Sequence, residues 1–203
     1  MKKNKISKNW IRKQHHDIFV KNSKLSGYRS RAVYKLKEID KKFNLFSKNT
    51  SVIDLGSAPG SWSQYLSERI TQGKIISIDV KKIKKIEGVN FIEGDFTNQN
   101  NQEKIKEYFD NKIDIVISDM AANTTGNKTL DANNTGELCI EAMFFAKSML
   151  SKNGHFVSKF FMGSAANEIL SSARKNFKIV KVFKPSASRS ESKENFIICK
   201  DPK

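Results

Sequence analysis

Ser51-Val-Ile-Asp-Leu-Gly56-Ser-Ala-Pro-Gly60-Ser-Trp62 is the stretch on which the reading of this chain turns. Ser51 to Leu55 is a short apolar run that reads as a buried strand. It stops at Gly56, and Pro59 to Ile70 reads as the following helix, with proline near its first turn. The alternation continues outward in both directions. Upstream, Tyr28, Ala32, Leu36, Ile39 and Phe43 recur at helical spacing. Downstream, strands are predicted at Lys74–Ile78, Val89–Ile92, Ile113–Ser118 and His155–Lys159. Helices are predicted at Gln102–Phe109, Thr135–Leu150 and Ala165–Lys175. Such alternation predicts a parallel sheet with helices on both faces. Phe177–Phe183 and Asn195–Cys199 break the rhythm. Only about ten polar residues, Lys184 to Lys193, join them, too few for a helical crossover, so they predict an antiparallel hairpin. The expected fold is α/β and Rossmann-like: seven strands, mostly parallel, the last antiparallel, with no internal repeat and no second domain.

The chain has 203 residues and a formal net charge of +16. That length suits one domain with a proper core. No stretch approaches the roughly 20 apolar residues that a bilayer span needs. The basic N-terminus lacks the apolar run of a secretory signal, which points to the cytoplasm. Cys139 and Cys199 are too few for a disulfide scaffold or a four-cysteine metal site, and no metal is expected. Lysine outnumbers arginine 31 to 6, a bias that an AT-rich genome alone would produce. Its distribution is more telling. Residues 1–48 hold 15 Lys and Arg against 3 Asp and Glu, whereas the other 155 residues hold 22 against 18. A concentration of that kind points to a polyanionic partner, nucleic acid above all, with a solvated tail as the alternative. Residues 1–27 read as a basic arm and 28–203 as the domain.

In open α/β sheets, ligands bind outside the carboxyl ends of the strands. Those ends here carry the glycine loop after Asp54, then Asp79, Gly94-Asp95, Asp119 and Lys159. An antiparallel last strand would bring Glu194 to the same edge. Gly56 and Gly60 are four apart, so the G-x-G-x-x-G cradle for a pyrophosphate is missing. The loop by itself reads equally as an ordinary strand–helix turn. Asp79, placed for ribose hydroxyls, and Asp95, placed for an adenine amino group, favour a nucleoside cofactor without a pyrophosphate. S-adenosylmethionine fits best.

Two lysines stand out. On a helical wheel that includes Tyr28, Lys35 lies at the edge of the apolar arc, close to Tyr28, while Lys37 and Lys41 point the opposite way. Lys35 is thus directed toward the body of the protein, or is a snorkelling lysine whose stem covers apolar surface. Lys159 ends a strand among apolar neighbours, where a charge is costly unless paired. It reads as a general base made neutral by desolvation and a second cation, or as one half of a salt bridge to Asp119.

With these segments in view, the chain resembles the FtsJ/RrmJ (RlmE) ribosomal RNA 2′-O-methyltransferases over nearly its whole length. The carrying segments are Ser30-Arg-Ala-Val-Tyr-Lys35-Leu, the Asp54–Tyr65 loop and helix, Gly94-Asp95-Phe, Ser118-Asp119-Met-Ala, the Lys159 strand, and Lys184-Pro-Ser-Ala-Ser-Arg189 through Glu194. Ser61 replaces a glycine common in that family, and Ala122 a proline. The resemblance implies a class I S-adenosylmethionine-dependent methyltransferase fold. It places the family's Lys-Asp-Lys-Glu tetrad on Lys35, Asp119, Lys159 and Glu194. It places the cofactor against Gly60, Trp62, Asp79, Asp95 and Asp119. The implied reaction is methyl transfer to a uridine 2′-hydroxyl in the A-loop of large-subunit rRNA, on the assembled large ribosomal subunit, by a monomer. Lys159 would be the base, with Lys35 lowering its pKa and holding the target nucleotide, Asp119 orienting Lys159 near the cofactor, and Glu194 helping to fix the lysines or the ribose. The basic arm and the Ser186–Lys193 loop would grip RNA backbone. The rival readings are a transfer RNA or cap 2′-O-methyltransferase, and a non-catalytic RNA-binding module on the same fold.

Overall fold

The computed structural model describes residues 17–109, 113–122 and 125–203. Strands β1 (Val52–Leu55), β2 (Ile75–Asp79), β3 (Asn90–Glu93), β4 (Ile113–Ser118), β5 (Leu150–Phe161), β6 (Phe177–Phe183) and β7 (Glu194–Pro202) form one sheet in the order β3-β2-β1-β4-β5-β7-β6. Pairing is parallel from β3 through β5, and β7 runs antiparallel to both β5 and β6. The expected architecture and its hairpin are therefore observed. The helices are α1 (Ile18–Leu25), α2 (Val33–Phe43), α3 (Ser61–Arg69), α4 (Gln99–Tyr108), α5 (Lys128–Met149) and α6 (Ala166–Asn176).

Each sheet face buries alternate residues, as the two-residue period of a strand requires. Ile53, Leu55, Ile76, Ile78, Val116 and Phe156 pack against α4, α5 and α6. Val52, Ile75, Ile115, Ile117, Val157, Phe196 and Ile198 pack against Leu36 and Ile39 of α2 and Trp62 and Leu66 of α3. Among the described residues no helix is long and apolar enough to cross a membrane.

Three expectations shift. The stretch read as an unpacked arm contains α1, whose N-cap Asp17 accepts from Phe19 N at 3.0 Å and pairs with Arg31. The Phe19 ring also lies 5.4 Å from that of Tyr34. An aspartate ahead of an apolar pair is the N-cap signal that reveals this helix. Residues 1–16 of the arm lie outside the described residues.

The second shift is at α2, which begins at Val33 rather than Tyr28. Residues 28–32 are held by tertiary bonds instead: Tyr28 Oη to Glu68, Arg29 N to Gln64 Oε1, and Arg29 Nη1 to Pro59 O. With Tyr28 outside the helix, a wheel that includes it misplaces its neighbours. Lys37, not Lys35, meets Tyr28, its Nζ 4.2 Å from the ring centroid and 5.5 Å from that of Tyr65. The third shift is at α5, which starts seven residues earlier than expected, where Asn127 caps it by accepting from Thr129 N and Leu130 N.

Candidate active site

Sheet register assembles the site. Ser118 of β4 lies opposite Ser158 of β5, so Asp119 and Lys159 follow at the same level. Across β5 and β7, Lys159 is opposite Phe196 and Phe161 is opposite Glu194. Ile117, Val157 and Phe196 belong to the core beneath α2 and α3. Asp119, Lys159 and Glu194 each lie two residues further along the same strand path. Alternation therefore carries all three onto that face, just past the end of the core. α2 covers the face and contributes Lys35, next to the fully buried Leu36.

The four side chains are 8 to 16% exposed. Lys35 Nζ donates to Glu194 Oε2 at 2.7 Å and lies 3.9 Å from Asp119 Oδ1. Lys159 Nζ lies 3.1 Å from Asp119 Oδ1, while its aligned hydrogen bond goes to the backbone carbonyl of Asp119. The ion pair weighed as the alternative for Lys159 is thus present. Burial would raise the Asp119 carboxyl, but the charges of Lys159 and Lys35 outweigh it and hold it below the usual range. Burial would lower Lys35, but Asp119 and Glu194 outweigh it and hold the amine above its ordinary value.

Beside Asp119 opens a cleft of about 710 Å³. Gly56, Ala58, Asp79, Asp95, Asp119 and Met120 are among the residues that line it. Gly56 has φ +72°, and a Cβ there would come within 2.1 Å of Met120 Cγ, so only glycine fits. Asp79 accepts from Ala58 N and Lys81 N, both at 2.8 Å, tying β2 to the glycine loop. Asp95 Oδ1 accepts from Thr97 N at 2.9 Å, and Oδ2 takes no donor among the described residues. Two buried oxygens, Ser57 Oγ and Asp119 Oδ1, have no aligned hydrogen-bond partner. The carboxylates along the cleft, with Ser57 Oγ lacking a hydrogen-bond partner beside it, fit the hydroxyls, amino groups and sulfonium charge of an adenosine-type methyl donor, while Asp119 Oδ1 is held by the two lysines. Among the described residues no group of three or more His, Cys, Asp or Glu could hold a metal.

Gly60 and Trp62 sit apart from the cleft wall. The Trp62 indole is buried against Phe196 and donates Nε1 to Ala32 O at 2.8 Å. Gly60, at φ +103°, is the N-cap of α3, and a Cβ there would meet Arg29 Nη1 at 2.6 Å. Gly60 has its backbone occupied, its N–H donating to Ser57 O at 2.6 Å and its carbonyl accepting from Gln64 N at 2.9 Å, whereas the first turn of α3, which includes Trp62, has no side-chain cap.

Three participants escaped the sequence reading. Asp54 is wholly buried on the α2/α3 face and accepts from Ser63 Oγ at 2.6 Å, which in turn meets Ser77 Oγ at 2.7 Å. Burial, opposed by the Ser63 bond and aided by Asp119 and Asp79, pushes its carboxyl up to about 7. A carboxylate inside a strand with apolar neighbours was the available signal. Ser188 donates to Glu194 Oε1 at 2.7 Å, and Glu38 accepts from Ser186 N at 2.6 Å. Glu38 acts on a loop 148 positions away, which sequence does not show, and Ser188, six positions before Glu194, is one serine among several in a polar loop.

Comparison with known proteins gives a consistent result. The family described as FtsJ-like methyltransferase matches residues 28–202. The ribosomal RNA large subunit methyltransferase E of Pelagibacter ubique (strain HTCC1062) is 59% identical over 200 residues, covering 98% of each chain. That of Rickettsia akari (strain Hartford) is 48% identical, covering 95% of this chain and 87% of its own. Among solved structures, a Plasmodium falciparum protein provisionally described as a ribosomal RNA methyltransferase superposes with TM-score 0.77 at 36% identity. It covers 86% of this chain and 98% of its own. Human methyltransferase-like protein 13 in complex with SAH shares the fold, with TM-score 0.61 at 11% identity, covering 82% of this chain and 80% of its own.

Proposed function

The chain belongs to the FtsJ-like methyltransferase family, and from that premise we propose that it methylates the 2′-hydroxyl of a uridine in the A-loop of large-subunit rRNA, on the assembled subunit. Its methyl donor is S-adenosylmethionine. The observation that carries the reading is the convergence of Lys35, Asp119, Lys159 and Glu194 from α2, β4, β5 and β7 at one end of the cofactor-sized cleft. The Pelagibacter and Rickettsia relatives, named for large-subunit rRNA, support the substrate.

The bound donor supplies a methyl group already activated by its sulfonium, so the protein's task is to orient the hydroxyl and remove its proton. Lys159, paired with Asp119 of the cleft wall, takes that proton once its own amine has given one up. Asp119 holds Lys159 through both its carboxylate and its carbonyl. Lys35, kept charged by Asp119 and Glu194, steadies the target ribose and keeps positive charge beside the reacting oxygen. Asp79 and Asp95 bind ribose and adenine. Gly60, at φ +103°, turns the chain past the cofactor into α3, and Trp62 contributes a backbone N–H from the first turn of that helix. The Ser186–Lys193 loop, with Arg189, and the N-terminal arm engage RNA phosphates.

The test is to map 2′-O-methyl groups in rRNA and tRNA from a deletion strain, and then to restore them with purified protein, S-adenosylmethionine and 50S-type subunits. Restoration of one A-loop uridine is expected. A missing methyl in tRNA instead would overturn the substrate, and no change in any RNA would overturn the activity.

A further inference from the structure

The loop joining β6 to β7, residues 184–193, carries a feature that methyl transfer as described above does not use. Such a connector between antiparallel strands is ordinarily fixed only at its ends. Here its middle is buried: Ala187 is 0% and Ser188 6% exposed. Glu38 of α2 does this. Its carboxylate accepts from Ser186 N at 2.6 Å, Ser186 Oγ at 2.8 Å and Ala187 N at 2.9 Å. Arg31 donates to the Ala187 carbonyl from the other side. The residue that follows, Ser188, donates to Glu194 Oε1 at 2.7 Å. The second oxygen of Glu194 receives Lys35 at the same distance. Lys35 and Glu38 are three residues apart, neighbours on one helix surface. One helix therefore presents an ammonium to the site and also clamps the loop that fixes the carboxylate receiving it.

We propose that Glu38 is a positioning residue for methyl transfer, acting through Ser186 and Ala187 on Ser188, and through Ser188 on the Glu194–Lys35 pair. The three bonds to Glu38 are charge-assisted and so among the stronger kind. Without them the Ser186–Ala187 stretch keeps the Arg31 bond alone among the described residues, Ser188 is released from Glu194, and Glu194 Oε1 loses its one donor among the described residues. The charged groups around Lys35 are then Asp119 at 3.9 Å, a less restrained Glu194, and Arg31, whose charge opposes protonation. Misplacement of a supporting group by about 1 Å can cost up to about a hundredfold in rate. This inference rests on the tetrad reading given above.

The experiment uses the full chain with Glu38→Ala, Glu38→Gln, Ser188→Ala and the double variant Glu38→Ala/Ser188→Ala. Steady-state methyl transfer to large subunits is measured beside calorimetric S-adenosylmethionine affinity. The Lys35 side-chain titration is followed by NMR, with Lys35→Arg used for assignment. Glu38→Ala is expected to lower kcat roughly ten- to a hundredfold with cofactor affinity within about twofold. Glu38→Gln, which keeps one acceptor, should recover part of the loss. Ser188→Ala should act in the same direction, and the double variant should be no worse than the worse single one, because both lie on one path. The Lys35 midpoint should fall in each. Should Glu38→Ala fail to fold, Ser188→Ala, which removes one hydroxyl, carries the same comparison. Unchanged kcat with an unmoved Lys35 midpoint would overturn the proposal, as would additive losses or a rise confined to KM for the subunit. Were the wild-type protein inactive on ribose, the functional reading would fail, yet the Lys35 titration would still decide the clamp.

Discussion

Lys159 Nζ lies 3.1 Å from Asp119 Oδ1, each residue one step beyond the paired serines Ser158 and Ser118 of adjacent parallel strands. Their meeting follows from register: once β4 and β5 pair in this frame, the two side chains must emerge together at the carboxyl edge. Position and charge are thus set by the backbone, and no loop has to be ordered to bring them into contact.

Replacing Lys159 should therefore leave the scaffold intact. Lys159→Ala removes the proposed base, while Asp119 keeps Lys35 at 3.9 Å as a counter-charge. Methyl transfer should fall by about 10² to 10⁴. S-adenosylmethionine affinity by calorimetry should hold, since the role proposed for the amine is at the hydroxyl and not at the adenosine. A variant that turns over near the wild-type rate would show that the proton leaves by another route.

Asp79→Ala should do the opposite. It removes the acceptor proposed for ribose hydroxyls, and it also frees Ala58 N and Lys81 N, which the carboxylate holds at 2.8 Å. A hydrogen bond to a charged group contributes roughly 1.5–3 kcal/mol, so cofactor affinity should drop by about ten- to a hundredfold. Single-turnover methyl transfer at saturating cofactor should be far less affected. An unaltered dissociation constant would take Asp79 out of the cofactor site.

How much of this was legible in advance depends on the range of the contacts. The strand alternation, the hairpin and the placing of Asp119, Lys159 and Glu194 at one edge follow from periodicity and connection length, which are local. The start of α2 did not follow, because Tyr28 and Arg29 are fixed by Glu68, Gln64 and Pro59, some thirty to forty positions away. The same blindness reversed Lys37. Its residue type and helical phase predict a solvated amine, whereas the folded chain stacks the rings of Tyr28, Tyr34 and Tyr65 around it. The resemblance places the cofactor against Trp62, and only the fold shows that the indole is buried against Phe196, which leaves the backbone as the part of this residue that faces a ligand.

Asp54 gives a prediction about pH. Its carboxyl titrates at about 7 in the fold against an ordinary value of 3.8. Between those values the unfolded chain is ionised at this residue and the folded chain is not. Folding takes up a proton, and this contribution to stability falls as pH rises from about 4 to 7. Asp54→Asn keeps an acceptor for Ser63 Oγ and removes the titration. Relative to wild type, the variant should gain stability steadily across that window, by up to about 4 kcal/mol. Urea unfolding at several pH values reads this directly. Parallel stability curves for the two proteins would mean that Asp54 is ionised in the fold.

The last prediction concerns the N-terminus. Residues 1–16 carry Lys2, Lys3, Lys5, Lys8, Arg12 and Lys13 and no acidic residue. A truncation that begins at Asp17 retains the cap of α1 and the partner of Arg31. A cut at residue 27 would remove both, and it would confuse loss of charge with loss of packing. The proposed cofactor residues lie between Gly60 and Asp119, and the tetrad between Lys35 and Glu194, so the shorter truncation should leave folding and S-adenosylmethionine affinity as they are. Binding to rRNA or to the large subunit should weaken and become less sensitive to salt. Each lost phosphate contact lowers the slope of log affinity against log salt by about 0.7 to 0.9. Salt titrations of the intact and truncated proteins on the same RNA provide the comparison. Superimposable slopes would make residues 1–16 a solvated extension, and they would leave Arg189 and the lysines of the folded domain to hold the RNA alone.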